Sequence, residues 1–360
     1  MANGTDQEKP FSEVTAYEQW LQTEGIPVIR GLAVEDLNQV PVEPWGRKGG
    51  LGTYIVLEGA GGTNDAYVCE IPPGGSLKPQ KHLYEEIIYV LKGRGATSTW
   101  LEGGAKQTFE WQAGSLFSPP LNVWHQHYNG GDEPVRYVAV TTAPTVIDLF
   151  HDLEFIFNND FVFKGRYDAA SDFFTRNKWH PNRVWETNFI PDVPNLKLLE
   201  WKERGAGGTN AMFELVDNTM AAHVSEFPVG TYKKAHKHGP GAQIVLLSGQ
   251  GYSLMWREGE PWHKIDWHVG SFFVPPDQWF HQHFNTGKEP ARYLALRWGS
   301  QKHLAGGAFK IDRKTIDRSL KQGGAQIEYE DESPEIGRLF EQECARGGVQ
   351  EKMKPFTRPG

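Results

Sequence analysis

His236 and His238 stand two residues apart, and His281 lies 43 residues further on with His283 two beyond it. Residues two apart on a strand project to the same face, so His236 and His238 can point together into an enclosed space while His281 meets them from a later strand. Three neutral imidazoles on one side of a divalent ion leave the opposite positions open, as in a facial triad with a third histidine in place of the carboxylate. Imidazole suits Fe(II), Cu, Ni or Zn, and a carboxylate in the set shifts preference toward harder ions such as Mn. Around Fe(II), the open positions would admit a chelating substrate and O2 side by side, the general requirement for oxidative ring or C–C cleavage. A second candidate set, Gln80, His82, Glu86 and His125, mixes an amide, two imidazoles and a carboxylate.

The two sets are copies of one pattern. From Pro72 to Ala139 each residue pairs without a gap with the one 156 positions later. Gly74 falls on Gly230, Gly93 on Gly249, Gly114 on Gly270, Pro120 on Pro276 and His125 on His281. A duplicated small domain follows. The copies differ at the positions that could hold a metal: Gln80 answers His236, and Glu86 answers Ala242.

The elements that must position these residues are short strands. Segments such as AYVCEIPPGG, IIYVLKGRG, QTFEWQAGSLFSPP and RYVAVTT in the first copy, and MAAHVSEFPVG, IVLLSGQGYSLMW, HKIDWHVGSFFVPP and RYLALRW in the second, alternate apolar and polar residues and end in Gly, Pro or Asn. Many short antiparallel strands imply a sandwich or barrel. Helical signals fall outside the copies. Thr15-Ala-Tyr-Glu18 has the form of a capping box for a helix ending at Gly25, and Ser333-Pro334-Glu335 starts one reaching about Arg346. The apolar stretch from Pro144 to Phe174 is expected to pack between or over the barrels. The glycine-rich runs 59–64 and 205–210 precede strands rather than helices, so they are turns and not phosphate loops.

With 360 residues, the chain suits two domains with appendages. A net charge of −8 and no basic run argue against a nucleic-acid partner. The two cysteines, Cys69 and Cys344, provide no disulfide framework and fit a reducing cytoplasm. The polar start lacks a signal-peptide pattern, and nothing approaches the ~20 apolar residues of a membrane span.

Each copy resembles a cupin domain. The early signature reads Gly74-x5-Gln80-x-His82-x3-Glu86-x6-Gly93, and Gly230-x5-His236-x-His238-x3-Ala242-x6-Gly249 in the second copy. The late one reads Gly114-x5-Pro120-x4-His125-x3-Asn129, and Gly270-x5-Pro276-x4-His281-x3-Asn285. The resemblance implies an all-β chain of two tandem cupin (double-stranded β-helix, jelly-roll) barrels with short helical arms. Its expected parts are an N-terminal arm 1–45, a first cupin 46–145 with a degenerate metal site, a packed connector 146–195, a second cupin 196–300 with a three-histidine metal site, and a C-terminal arm 301–360 with a helix.

The second copy also resembles the gentisate and salicylate 1,2-dioxygenases, bicupins in which H-x-H is followed by alanine at the glutamate position, as in His236-Lys-His238 with Ala242, and in which two late histidines flank one residue, as in His281-Gln-His283. The resemblance implies a non-haem Fe(II) dioxygenase for a small hydroxylated aromatic or enolic substrate, with His236, His238 and His281 as ligands and His283 as the acid/base residue beside them. The family carries its metal in the first cupin and an arginine where Ile244 stands here. Arg257, Arg297 and Tyr252 on strands of the second copy are candidate substrate contacts, the alternative for the arginines being surface ion pairing.

Two other readings stand beside the dioxygenase: a Mn-type decarboxylase or isomerase using the first barrel, and a bicupin that binds a small molecule without turning it over. For the first barrel the competing expectation is a vestigial site in which His82 or His127 satisfies Glu86. The expected partners are a small molecule and O2, with stacking of cupin faces into a dimer or tetramer a further option.

Overall fold

In the computed structural model the described residues are 13–303 and 315–357. The polar start therefore lies mostly outside them, as does 304–314 of the C-terminal arm. The fold is all-β, two jelly-roll barrels with short helical arms, as expected.

Each barrel closes a large sheet against a three-stranded one. In the first, the large sheet runs Val28–Gly31, Gly50–Leu57, Asp65–Ile71, Val135–Thr141, Glu86–Lys92, Leu116–Phe117, and the small one Trp124–Tyr128, Arg94–Trp100, Gln107–Gln112. The second repeats this order with Val184–Thr187, Thr209–Leu215, Met220–Phe227, Ala291–Trp298, Gln243–Ser248 and Phe272–Phe273 against Phe280–Asn285, Gly251–Trp256 and His263–Trp267. In both, the turn after the early signature is made by a glycine at φ +85°, Gly93 and Gly249. A Cβ there would lie 2.8 Å from Val135 Cγ2 or 2.7 Å from Ala291 Cα, so backbone sign and space both exclude a side chain.

The large sheets face each other and are buried on both sides. Along Asp65–Ile71, Tyr67 and Cys69 enter the first barrel while Ala66 and Val68 enter a core that also holds Ala222, Val224, Leu294 and Leu296 of the second. Burial on both faces explains why strands such as Asp65–Ile71 are buried nearly throughout, where alternating apolar and polar residues were expected.

The structural repeat reaches further than the sequence signatures. Val28–Gly31 pairs in parallel with Gly50–Leu57, and Val184–Thr187 does the same with Thr209–Leu215. Just beyond, the two units exchange strands. Ala33–Val34 pairs with Phe272–Phe273 of the second barrel, and Phe189–Ile190 with Leu116–Phe117 of the first. The stretch expected as a connector thus supplies sheet strands, together with the helices Ala143–Phe150 and Leu153–Asn158. Arg136 and Arg292 fasten the two crossings alike: Arg136 pairs with Glu70 and donates to the carbonyls of Leu37, Asn38 and Val40, and Arg292 pairs with Glu226 and donates to those of Val193, Pro194 and Leu196.

Both expected terminal helices form. Thr15 caps Ala16–Thr23, its hydroxyl accepting from the Glu18 amide, and Ser333 caps Pro334–Gly347. The latter lays Ile336, Phe340 and Cys344 on the outer face of the small sheet of the second barrel, over Tyr252, Leu254 and Phe284. Both cysteines are buried and free. Among the described residues no helix is long and apolar enough to cross a membrane.

Candidate metal centre

The three histidines of the second barrel meet. His236 lies in the extended segment before Gln243–Ser248 and forms an antiparallel bridge with His281, their amides and carbonyls bonding reciprocally at 3.1 and 2.9 Å. That bridge sets the two rings 4.1 Å apart, centroid to centroid; His238, two residues on, places its ring 4.6 Å from His281. One ring nitrogen from each of the three lies within 4.8 Å of the others. His238 Nδ1 is 2.7 Å from the Gly239 carbonyl and His281 Nδ1 is 3.2 Å from that of Trp279. A carbonyl can only accept, so both Nδ1 atoms carry hydrogen and both Nε2 atoms keep a lone pair for a ligand. Burial holds all three rings neutral: His238 is lowered to about 4, and His236 and His281 well below the usual histidine value, with neighbouring cationic groups adding to the effect. Neutral, convergent imidazoles are what a divalent transition ion requires.

His283 stands deeper on the same strand. Its Nδ1 lies 2.8 Å from Ser253 Oγ, which accepts a hydrogen bond from Trp267 Nε1 at 3.0 Å. The serine hydrogen can therefore point at Nδ1, leaving the hydrogen of the neutral ring on Nε2. Burial, then Lys233 and Arg204, lower His283 to about 3. His127 repeats this arrangement with Thr97 and Trp111 in the first barrel.

Two of the three histidines, His236 and His238, line a cavity of about 340 Å3 together with His223, Tyr293, Trp201 and Met212. Three arginines, Arg183, Arg204 and Arg297, face two carboxylates, Glu203 and Asp317, around it. Arg204 is buried, pairs with Asp317 at 2.8 Å and donates to Gln326 at 3.2 Å; Arg297 donates to His223 Nδ1 at 3.2 Å. The C-terminal arm brings in Asp317 and Gln326 by pairing Ala325–Ile327 along the histidine-bearing segment.

The candidate contacts divide. Arg297 is 9% exposed and lines the cavity, where surface ion pairing was the alternative. Arg257 is exposed and lies against the Trp279 ring, away from the cavity. Tyr252 points out of the barrel into the core beneath the C-terminal helix, stacked on Phe284, because its neighbour Ser253 takes the inward position opposite His283. Ile244 lies in the apolar barrel interior beside Phe227 and Met255. Positive charge therefore reaches the cavity from Arg183, Arg204 and Arg297, and of these the sequence reasoning found only Arg297. Extending the 156-residue offset upstream would have flagged Arg204, which answers Lys48, and His223, which answers Tyr67.

In the first barrel His82, Glu86 and His125 also converge, with ligand atoms within 4.8 Å. Gln80 does not join them; its Oε1 accepts from Arg47 at 3.4 Å because the guanidinium is held there by Glu24. Glu86 Oε2 lies 3.5 Å from His82 Nε2 and 3.7 Å from His125 Nε2, while Oε1 takes the Tyr67 hydroxyl and lies 3.6 Å from Lys48 Nζ. His127, one of the two expected partners of Glu86, is turned to Thr97 instead. The site is sealed: exposure is 3% for His82, 0% for Glu86 and 1% for His125, and Tyr84 stacks on His82 at 3.7 Å.

Residues 67–141 match the cupin domain family. Two auxin-binding proteins of Nicotiana tabacum, T85 and T92, are each 28% identical over 146 and 150 residues, covering 38% and 39% of this chain and 75% and 78% of theirs. Among solved structures, the oxalate decarboxylase of Lactobacillus farciminis in complex with formate superposes with a TM-score of 0.50 at 14% identity, over 74% of this chain and 85% of that one. The Bacillus subtilis oxalate decarboxylase at pH 4.6 gives 0.51 at 14% identity, over 74% and 76%. At that identity the likeness is one of fold. With the matched domain and its structural copy in place, the chain is built of two tandem cupin barrels.

Proposed function

We propose that this chain is a metal-dependent oxidoreductase whose chemistry sits in the second barrel, where His236, His238 and His281 hold Fe(II), and that it cleaves a small, electron-rich anionic compound with O2. The observation that carries the reading is the coincidence of a three-imidazole set with a cavity bearing three guanidinium groups. The ion, when bound, supplies Lewis acidity and one-electron chemistry. The chain's own residues bind and orient: Arg204 is fixed by Asp317 and Gln326, and Arg297 by His223, so both can meet an anionic group with little loss of side-chain freedom. Trp201 lines the same cavity, with Arg183, Arg204 and Lys233 lying over its ring. His283, neutral and hydrogen-bonded at Nδ1, is an N–H donor at Nε2; with its pKa near 3, it is a weak base toward a phenol.

The test is O2 consumption by protein reconstituted anaerobically with Fe(II), screened over hydroxybenzoates, aminophenols and 1,3-diketones. Turnover with at least one class, lost together with iron in His238→Ala, is expected. A fully iron-loaded protein that consumes no O2 with any of them would sink the oxidoreductase reading.

A second reading, small-molecule binding without turnover, is favoured by the two auxin-binding relatives. Carboxylate binding of equal affinity in metal-free and metal-loaded protein would select it.

A further inference from the structure

The duplication places a cation at the same point in each unit, and the two act oppositely. Lys48 answers Arg204 at the 156-residue offset. Arg204 is drawn away to Asp317 and Gln326, and the position of the first-barrel glutamate is Ala242. Lys48 instead turns inward. It is fully enclosed, its Nζ donates to the Tyr67 hydroxyl at 2.7 Å, and it lies 3.6 Å from Glu86 Oε1 and 4.3 Å from the centre of the Tyr67 ring.

On the other side of the same carboxylate, Glu86 Oε2, His82 Nε2 and His125 Nε2 are buried without a hydrogen-bond partner. His82 Nδ1 faces the Tyr84 carbonyl at 2.8 Å and His125 Nδ1 the Val123 carbonyl at 3.0 Å, which leaves both Nε2 atoms as lone-pair donors aimed at Oε2. A ligand set is thus complete in geometry but already compensated in charge. A buried carboxylate paired with an ammonium gives no net attraction to a second cation, and in a closed interior no solvent screens the repulsion between the two positive charges.

We propose that Lys48 takes the place of a metal ion in the first barrel: its ammonium compensates Glu86 and keeps a divalent cation out of the His82, Glu86 and His125 set. The first barrel is then a metal site closed by charge, and removing that charge opens it. This does not depend on the reading of the second barrel, because ions at His236, His238 and His281 count equally in every variant and cancel in the differences.

The experiment produces the full chain in cells supplemented with Co(II) and measures the Co(II):protein ratio by elemental analysis, with visible absorption reporting the ligand field. In the otherwise unaltered chain, His82→Ala leaves the ratio unchanged. Lys48→Met raises it by one equivalent, and Lys48→Met with His82→Ala returns it to the starting value. If Lys48→Met does not fold, Lys48→Gln, which keeps a donor for Tyr67, serves the same comparison. The proposal is overturned if His82→Ala alone removes one equivalent, or if a folded charge-removing variant gains none.

Discussion

The histidines determine how this protein responds to acid. His82, His125, His127, His223, His236, His238, His281 and His283 are all held below the ordinary histidine value, chiefly by burial. A histidine whose folded pKa is depressed binds its proton first in the unfolded chain, so its stabilising effect is complete above about 6.5 and is lost as pH falls toward the folded value, about 3 for His127 and His283 and about 4 for His238. Two carboxyl groups act the other way. Burial raises Asp65 to about 6 and Glu332 to about 7, and each adds stability as pH falls through those values. Eight groups outweigh two. Metal-free protein is expected to lose thermal stability steadily from pH 6.5 to 4, at roughly 1.4 kcal/mol per pH unit for each histidine protonated only on unfolding. A melting temperature flat across that range would show that the rings are not buried in the neutral form.

At the scale of elements, the C-terminal helix Pro334–Gly347 is the outer wall of the second barrel. Phe340 is fully buried, with ring centroids 4.9 Å from Tyr232 and 5.8 Å from Phe284, the residue that follows His283 on its strand. Truncating such a side chain removes its burial and leaves a cavity, so Phe340→Ala is expected to cost about 3–5 kcal/mol, read as a lowered denaturation midpoint in urea. A loss below about 1 kcal/mol would mean that the helix is not packed there. The sequence disclosed this helix through Ser333-Pro334-Glu335, because capping is a local property. What the helix covers was not local, and neither was the outward turn of Tyr252.

For the whole molecule, the exchanged strands Ala33–Val34 and Phe189–Ile190 and the core between the large sheets tie the units into one body. Glu85 of the first unit accepts the amides of Thr219 and Met220 at 2.9 and 2.8 Å and pairs with Arg166 at 2.8 Å, adding a polar tie across the same interface. Val68 and Val138, apolar on a face that would be outer in an isolated barrel, have their partners in the other unit. Calorimetry should therefore record one cooperative transition; two well-separated ones would contradict the shared core. The amino-acid sequence by itself determined the duplication, which aligning the chain on itself reveals, and the all-β class, the capped helices and the spacing of His236, His238 and His281, which depend on capping, spacing or composition within a few dozen residues. Only the tertiary structure decided that the strands cross between units, that Arg204, His223 and Asp317 gather around the three histidines, and that Lys48 lies against Glu86. Those contacts join segments as far apart in the chain as Ala33 and Phe273, and packing alone selects among the partners a charged side chain could find.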